Sequence, residues 1–530
     1  MIRIDVKLPL NFTENDIKIK ICSILPIEQI QIKDLQILKL SLDLSDKRNI
    51  CRKAAIGVSL DNELEEKFKL RKKVCSEVED LNFTHKSYNL QNLRPVVIGA
   101  GPCGLFAALT LAEVGARPIV IERGLPIDER EIEVNKFITF GILNPECNVQ
   151  FGEGGAGTYS DGKLKTGALN KYKLKILNEF IEAGATNDIT YSATAHLGTD
   201  KLGEIVKNLR KKIINLGGSF IFGAKFTEFV YKNDKLEAIK YIKDGNENIL
   251  SCTDVILAIG HSARDTITSL YERGFQMIPK GFGIGMRIEH PREYINELVY
   301  GKNYDKSLET ATYHLVTHLK NGRSVYSFCM CPGGTVVPAT NESGRIVTNG
   351  MSVFNRDADN SNCALLVSVT PEDFGSDHVL AGLDFQRKIE QKAFNISKSY
   401  RAPMAKMEDI LENRIPNDNF GNTKPSYPMG TIPCSPSEYL PEYITDSLSE
   451  SFKDFDDWMN GFYLPDAVLT GPETRTTAPI RMLRNEQTRE ALAHPHVYPS
   501  GEGAGYAGGI VTSAYDGMLS ALALLEKHKI

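Results

Sequence analysis

No apolar run in this 530-residue chain approaches the length of a membrane span. The opening segment, Met1-Ile2-Arg3-Ile4-Asp5-Val6-Lys7, lacks the apolar core of a secretory signal, so a cytoplasmic location is the expectation. Basic charge is not in excess. The 62 Lys and Arg stand against 67 Asp and Glu, a net charge of −5, and no global field recommends nucleic acid. The ten cysteines are scattered without zinc-finger spacing, which fits a reducing compartment and predicts no metal site. A second G-x-G-x-x-G after a strand is also missing. Without a separate nicotinamide domain, NAD(P)H would have to bind transiently in an open crevice. What remains is ordinary for a globular protein, 42% apolar and 24% charged, at a length that calls for two or three domains.

The one complete fingerprint is Val96-Val97-Ile98-Gly99-Ala100-Gly101-Pro102-Cys103-Gly104. It reads as a buried parallel strand, a glycine turn and a helix start. Gly99 makes the turn, Ala100, Gly101 and Pro102 bring backbone to a pyrophosphate, and Gly104 lets the helix sit close to the strand. The helix N-terminus offers free N–H groups and a positive dipole end to phosphate. Glu122 ends the next strand, 23 residues after Gly99, where a carboxylate meets ribose hydroxyls, with Arg123 beside it.

About 400 residues further on, Val497 and Tyr498 read as a strand, Gly501-Glu502 as its end, and Gly508-Gly509-Ile510 as the start of a helix through Leu525. A carboxylate at Glu502 can accept hydrogen bonds from a ribitol. The following helix N-terminus can stabilise negative charge on a reduced flavin. NAD has no ribitol, so the two segments together predict FAD.

These stretches, with Gln150 to Leu164, Ala258 to Asp265, Gly285 to Pro291 and Phe328 to Gly334, resemble the FAD-dependent or NAD(FAD)-utilising dehydrogenase family of the glutathione-reductase-like FAD superfamily. The resemblance covers most of the chain from about residue 90 onward. It implies an FAD-contacting loop at Gly155, Ala156, Gly157, Thr158, Ser160 and Lys163. It also implies that the buried strand Asp254 to Ala258, ending at Gly260, returns beside the dinucleotide, and that backbone at Lys225-Phe226 lies near the adenine. It names no substrate.

The expected fold class is α/β, in part α+β. Residues 1–92 read as a ferredoxin-like domain from a β-α-β-β-α order. Its last helix, Asn62 to Lys73, carries a basic cluster of Lys67, Lys69, Arg71, Lys72 and Lys73, and a weak strand follows near Val74. A Rossmann-like FAD domain would take residues 93–275 and return at 471–530, with a mixed-sheet substrate domain inserted at 276–470.

His261, Arg264 and Asp265 are the catalytic candidates, because they follow a buried strand at the end of the sheet that faces ligands. His261 would be the proton donor, since imidazole titrates near neutrality. Arg287 and Glu289 share a strand face and are expected to pair with each other. Cys329 and Cys331 leave one residue between them, and on a flat strand both sulfurs face one side, which strains a ring. They read as buried apolar cysteines. Thr474, Arg475, Arg481 and Arg484 resemble a motif of the same family, which implies that they either neutralise a carboxylate or hold the returning loop.

The sequence therefore predicts an FAD-dependent oxidoreductase exchanging hydride between flavin N5 and a small molecule, with no membrane partner. A flavin-bearing RNA-binding or RNA-modifying protein and an FAD-binding redox sensor are the alternatives it leaves open.

Overall fold

The structure is a computed structural model that describes residues 1–69, 75–78, 81–164 and 167–529. Arg71, Lys72, Lys73 and the strand expected near Val74 lie outside the described residues. Among the described residues no helix is long and apolar enough to cross a membrane.

The Ile2–Leu8 strand alternates buried and exposed residues along its length, so one face packs on a core and the other meets water. It pairs antiparallel with Cys51–Ser59, which pairs antiparallel with Asp34–Asp43, and the short Ser76–Glu77 strand closes the other side. The helix Glu14–Ile24 starts at a capping box in which Thr13 and Asp16 satisfy each other's backbone N–H groups. Asn62–Lys69 is the second helix, and only Phe68 of it is buried. The sheet's outer strand is docked on the rest of the protein: Leu40 N donates to the Tyr191 carbonyl and Ala193 N to the Leu40 carbonyl. That covers part of an edge that would otherwise invite pairing with another chain.

The centre of the molecule is a five-stranded sheet in the order Val497–Pro499, Asp254–Leu257, Pro95–Ile98, Ile119–Ile121, Ser219–Ile221. All neighbours run parallel. Its middle strands are buried throughout, as short β-branched runs in a parallel sheet should be. Two nearly all-apolar helices, Pro102–Glu113 and Ile510–Glu526, share one hydrophobic core on the same side of this sheet. Segments from the two ends of the main body are thereby laid side by side. An antiparallel meander, Ala224–Lys232, Lys235–Lys243 and Asn246–Ser251, lies between the fifth strand of this sheet and Asp254–Leu257 in sequence.

A second large sheet has seven strands, in the order Val316–His318, Ser324–Cys331, Asn360–Val369, Phe282–Pro291, Val468–Glu473, Ala402–Lys406, Thr431–Pro433. Its neighbours are antiparallel except for the last two strands. Phe282–Pro291 and Asn360–Val369 are buried on both faces, under helices that include Glu442–Trp458. The sheet's first strand, Val316–His318, is only three residues long. Val468–Glu473 belongs to this sheet, so the chain crosses back to the parallel sheet only after Glu473.

Candidate functional site

A cleft of about 400 Å³ opens between the carboxyl ends of the parallel strands and the seven-stranded sheet. The fingerprint loop forms one wall. Gly99 sits at φ +104°, and a Cβ there would lie 2.3 Å from the Ala258 carbonyl oxygen. A Cβ on Gly104 would lie 1.8 Å from the Gly99 carbonyl oxygen, so only glycine lets this helix approach the turn. Gly101 is different. It caps the Pro102–Glu113 helix without a side-chain hydrogen bond, and its backbone, with Pro102, lines the cleft. The helix's first N–H groups face no capping side chain.

Glu122 lines the cleft and also ties loops together. Its carboxylate accepts from Ala100 N at 2.8 Å, Gly124 N at 2.9 Å and Gly152 N at 3.0 Å. The fingerprint loop and the second glycine-rich loop therefore meet on one carboxylate. The second loop is shaped from below by Arg130, which is fully buried. Arg130 donates to the carbonyls of Asn148 at 2.9 Å, Val149 at 2.9 Å, Glu153 at 2.7 Å and Gly155 at 2.9 Å. Gly155, Ala156, Gly157, Ser160 and Lys163 line the cleft, while Thr158 is buried beside it and Ala100 and Gly104 sit behind the wall.

At one rim Arg123 forks onto Asp265 at 3.0 and 2.9 Å, and Lys225 reaches Asp265 at 2.5 Å and Glu146 at 3.2 Å. Burial works against charge on Asp265, yet hydrogen bonds and charge from Arg123 and Lys225 hold its carboxyl well below the usual range. Arg123, Lys225 and Phe226 line the cleft, and Asp265 does not. Arg264 also stays out of the cleft. It is buried and forks onto Glu390 at 2.6 and 2.8 Å, with further bonds to Glu342 and Gln386. Arg475 shares Glu390, at 2.9 and 3.1 Å, and does line the cleft. Arg484 forks onto Asp516 at 2.8 and 3.0 Å, and Asp516 accepts from Gly501 N at 2.7 Å. Of the two roles open to this arginine set, Arg475 neutralises a carboxylate and Arg484 holds the returning loop.

The other end of the cleft carries Ala258, Gly260, His261, Glu502 and the segment Gly508-Gly509-Ile510. Gly501 lies behind them on its bond to Asp516. The helix Ile510–Glu526 begins at Gly509 with no side-chain cap, so a second helix N-terminus opens on the same cleft. His261 Nδ1 stands 3.8 Å from Glu502 Oε2, and among the described residues the buried His261 Nε2 has no hydrogen-bond partner. Burial, with the Arg475 and Arg264 cations nearby, pushes His261 down to about 3. Burial pushes Glu502 up to about 7, against the pull of Lys280. Near neutral pH the titrating group is therefore the carboxylate. The imidazole, expected from its free value to carry the proton, is held neutral by desolvation.

The seven-stranded sheet supplies Cys329 and Glu473 to the facing wall, with His314 from the segment before Val316–His318 and Asn349 from the separate strand Thr348–Met351. Arg287 does not pair with Glu289. It forks onto Glu473 at 2.6 and 2.9 Å, while Glu289 accepts from Asn360 and Ser426. Two residues apart on one strand are separated by roughly 6.8 Å, whereas a neighbouring strand offers a closer partner. The pair Cys329 and Cys331 departs from the flat-strand reading as well. The strand carries a bulge between Phe328 and Cys331, and Cys329 has φ +43°. Arg130, Asn349 and Glu390 were not legible as site residues, because their side-chain partners lie 18 to 126 positions away in sequence and no local motif marks them. Among the described residues, no cluster of His, Cys, Asp or Glu is arranged to hold a metal ion.

Residues 281–476 match the family described as FAD-dependent protein, C-terminal domain-like. A protein of Clostridium beijerinckii (strain ATCC 51743 / NCIMB 8052), described as uncharacterized, is 43% identical over 531 residues, 99% of this chain and 98% of that one. Among solved structures, a flavoprotein/dehydrogenase from Cytophaga hutchinsonii is 12% identical with a TM-score of 0.35, over 83% of this chain and 80% of its own. A geranylgeranyl bacteriochlorophyll reductase-like protein from Thermoplasma acidophilum is 11% identical with a TM-score of 0.33, over 83% and 78%. At such TM-scores neither structure assigns anything to this chain.

Proposed function

Since the chain belongs, over its full length, to the family that the Clostridium beijerinckii protein represents, we propose that it is an FAD-dependent oxidoreductase acting on a small molecule. The match of residues 281–476 to FAD-dependent proteins supports the cofactor. The single observation that carries the reading is the convergence of two uncapped helix N-termini, from Gly101 and Gly509, on one cleft. A dinucleotide with an anionic middle and an electron-accepting ring matches that pair of positive ends. Two further features fit. Gly101 leaves open space where a side chain would project, its nearest neighbour being Gly155 Cα at 3.7 Å. Among the described residues, the buried His261 Nε2 has no hydrogen-bond partner.

In this reading Gly99 to Pro102 and Gly155 to Gly157 hold the pyrophosphate, and Glu122, Arg123 and Phe226 the adenosine half. Ser160, Lys163, Ala258, Gly260, Glu502 and Gly508 to Ile510 face the flavin half. FAD, when bound, supplies two-electron hydride exchange at flavin N5. The protein's own residues do the rest. Glu502, poised near neutrality, holds or releases a proton at Oε2. Neutral His261 offers a hydrogen bond from a fixed ring, and Arg264 positions the wall by clamping Glu390 together with Arg475. Arg475 and Lys163 make the facing side attractive to an anionic or carbonyl-bearing substrate. Placement in the glutathione-reductase-like superfamily, and a transient nicotinamide in the open crevice, belong to the same proposal.

The test is anaerobic titration of the purified protein with NADH and NADPH, followed at the flavin absorbance. Bleaching by either identifies the reductive half-reaction. A protein that binds no flavin contradicts the proposal.

A further inference from the structure

Cys329 is half-buried and lines the cleft; Cys331, two residues on, is fully buried behind it. A flat strand would keep these side chains roughly 7 Å apart. Here one extra residue is inserted, since Phe328 pairs with Ala364 but Cys331 already pairs with Asn362. Cys329 takes a left-handed φ of +43°, a costly conformation for a side-chain-bearing residue, which persists only where its surroundings impose it. The bulge folds the chain so that Cys331 Sγ reaches the Cys329 carbonyl at 3.3 Å. Arg287, itself buried, donates to the same carbonyl at 2.8 Å and lies 3.7 Å from Cys331 Sγ. Lys163 donates to the carbonyl of Met330, the residue between the two cysteines.

The surroundings of Cys329 differ from those of four other cysteines. Burial pushes Cys147 and Cys363 up to about 11, and Cys252 and Cys434 up to about 12. Those are inert, apolar thiols. Cys329 moves the other way, to about 5. The adjacent Cys331 thiol is the main cause, and Arg287 and Lys163 assist against burial. The groups facing it are Cys331, Arg287, Lys163 and Asp161, with Glu473 on the same wall, Glu502 across the cleft and Cys363 behind. Cys331 is pushed well above its ordinary value by the neighbouring Cys329 and by burial, so the two thiols titrate as one pair.

We propose that Cys329 and Cys331 form a thiol–disulfide couple inside the cleft, and that the substrate is a disulfide or dithiol compound. The couple rests on the FAD reading above for its electron partner, and on the bulge alone for its sulfur chemistry. In the forward sense, the Cys329 thiolate attacks one sulfur of a substrate disulfide. The substrate S–S bond breaks and a first thiolate leaves. Cys331 then attacks the Cys329 sulfur, forms the Cys329–Cys331 bond, and passes its proton to the second departing thiolate. Two electrons and a proton from reduced flavin return the pair to thiolate and thiol. Burial of Cys331 suits this order, because only Cys329 can meet a substrate.

The experiment uses the purified full-length protein, in parallel with and without its flavin. Labelling with iodoacetamide across pH is read at each cysteine by peptide mass spectrometry. The oxidation state of the 329–331 peptide is read by mass after equilibration in reduced and oxidised dithiothreitol mixtures. The expected result is half-maximal labelling of Cys329 near pH 5, and a reversible loss of two hydrogens confined to that peptide. In C331S the labelling midpoint moves up by about one unit or more, and the mass loss vanishes. Labelling of Cys329 with an ordinary midpoint near ~8.5 would overturn the proposal. So would a low midpoint without closure of the 329–331 bond, measured in the wild-type protein alone. Both readouts survive removal of flavin, so failure of the FAD reading is seen separately, as absence of colour.

Discussion

Glu502 Oε2 lies 3.8 Å from His261 Nδ1, and burial reverses the order in which the two free side chains would titrate. The carboxylate is the group poised near neutral pH, and the imidazole stays uncharged.

A rate profile follows from that reversal. Flavin reduction or reoxidation, measured by stopped flow against pH, carries an ionisation near 7 that belongs to Glu502. E502Q removes it and slows the proton-coupled step by about 10²- to 10⁴-fold. H261N keeps the ionisation near 7. Loss of that ionisation in H261N and its survival in E502Q would show that the imidazole is the proton carrier.

Stability responds to the same carboxylate with a definite sign. The folded value of Glu502 is raised, so its contribution is fully present below the free carboxylate range and is lost as pH rises through about 7. E502Q, which cannot ionise, gains stability relative to wild type as pH climbs from 5 to 8. Thermal denaturation at several pH values, on flavin-free protein, reads the difference.

The two fingerprint glycines separate folding from binding. G104A drives a Cβ to 1.8 Å from the Gly99 carbonyl and destabilises the protein by roughly 1–3 kcal/mol. Gly101 has φ −75° and open space ahead of it, so G101A leaves the melting temperature of the flavin-free protein unchanged. Its methyl group stands where the cofactor approaches, and flavin affinity falls by about tenfold or more, a loss of ~1.4 kcal/mol. Fluorescence titration with FAD measures it.

Element type was largely legible in the sequence, and long-range placement was not. The alternation of Ile2–Leu8 and the short apolar runs around Val96, Val120 and Val255 announced strands, and strands they are. Asn246–Ser251, Ala402–Lys406 and Thr431–Pro433 escaped, because charged or proline-rich strands at a sheet's margin lack a hydrophobic period. Glycine spacing marked the two loops that meet at the cleft. Nothing local marked Arg130 or Glu390, whose importance comes from carbonyls and guanidinium groups that folding brings to them. The free value of imidazole likewise pointed to His261, since a residue's burial cannot be read from its identity.

Arg287 and Glu473 are both buried, so removing one partner strands a charge. R287M is expected to lose roughly 3–5 kcal/mol in urea denaturation. R287M/E473L recovers part of that loss, because no uncompensated carboxylate remains. A double variant as unstable as the single would mean that the bonds of Arg287 to Cys329, Asn349 and Asn362 matter more than the ion pair.

Acid tests the rim of the cleft. Asp265 is held below the usual carboxylate range by Arg123 and Lys225, so its contribution is present above that range and is lost as pH falls through and beneath it. D265N therefore flattens the acid limb of the stability curve below pH 5. Unfolding midpoints from pH 7 down to pH 3 give the comparison.

The central claim is that one cleft, closed by two uncapped helix starts from distant parts of the chain, holds FAD. Its most direct measurement is the visible spectrum of the purified protein, with mass identification of what heat releases. The account predicts a yellow protein yielding one FAD per chain, and a G101A variant that loses most of it. Colourless protein that stays colourless after incubation with free FAD would contradict the account.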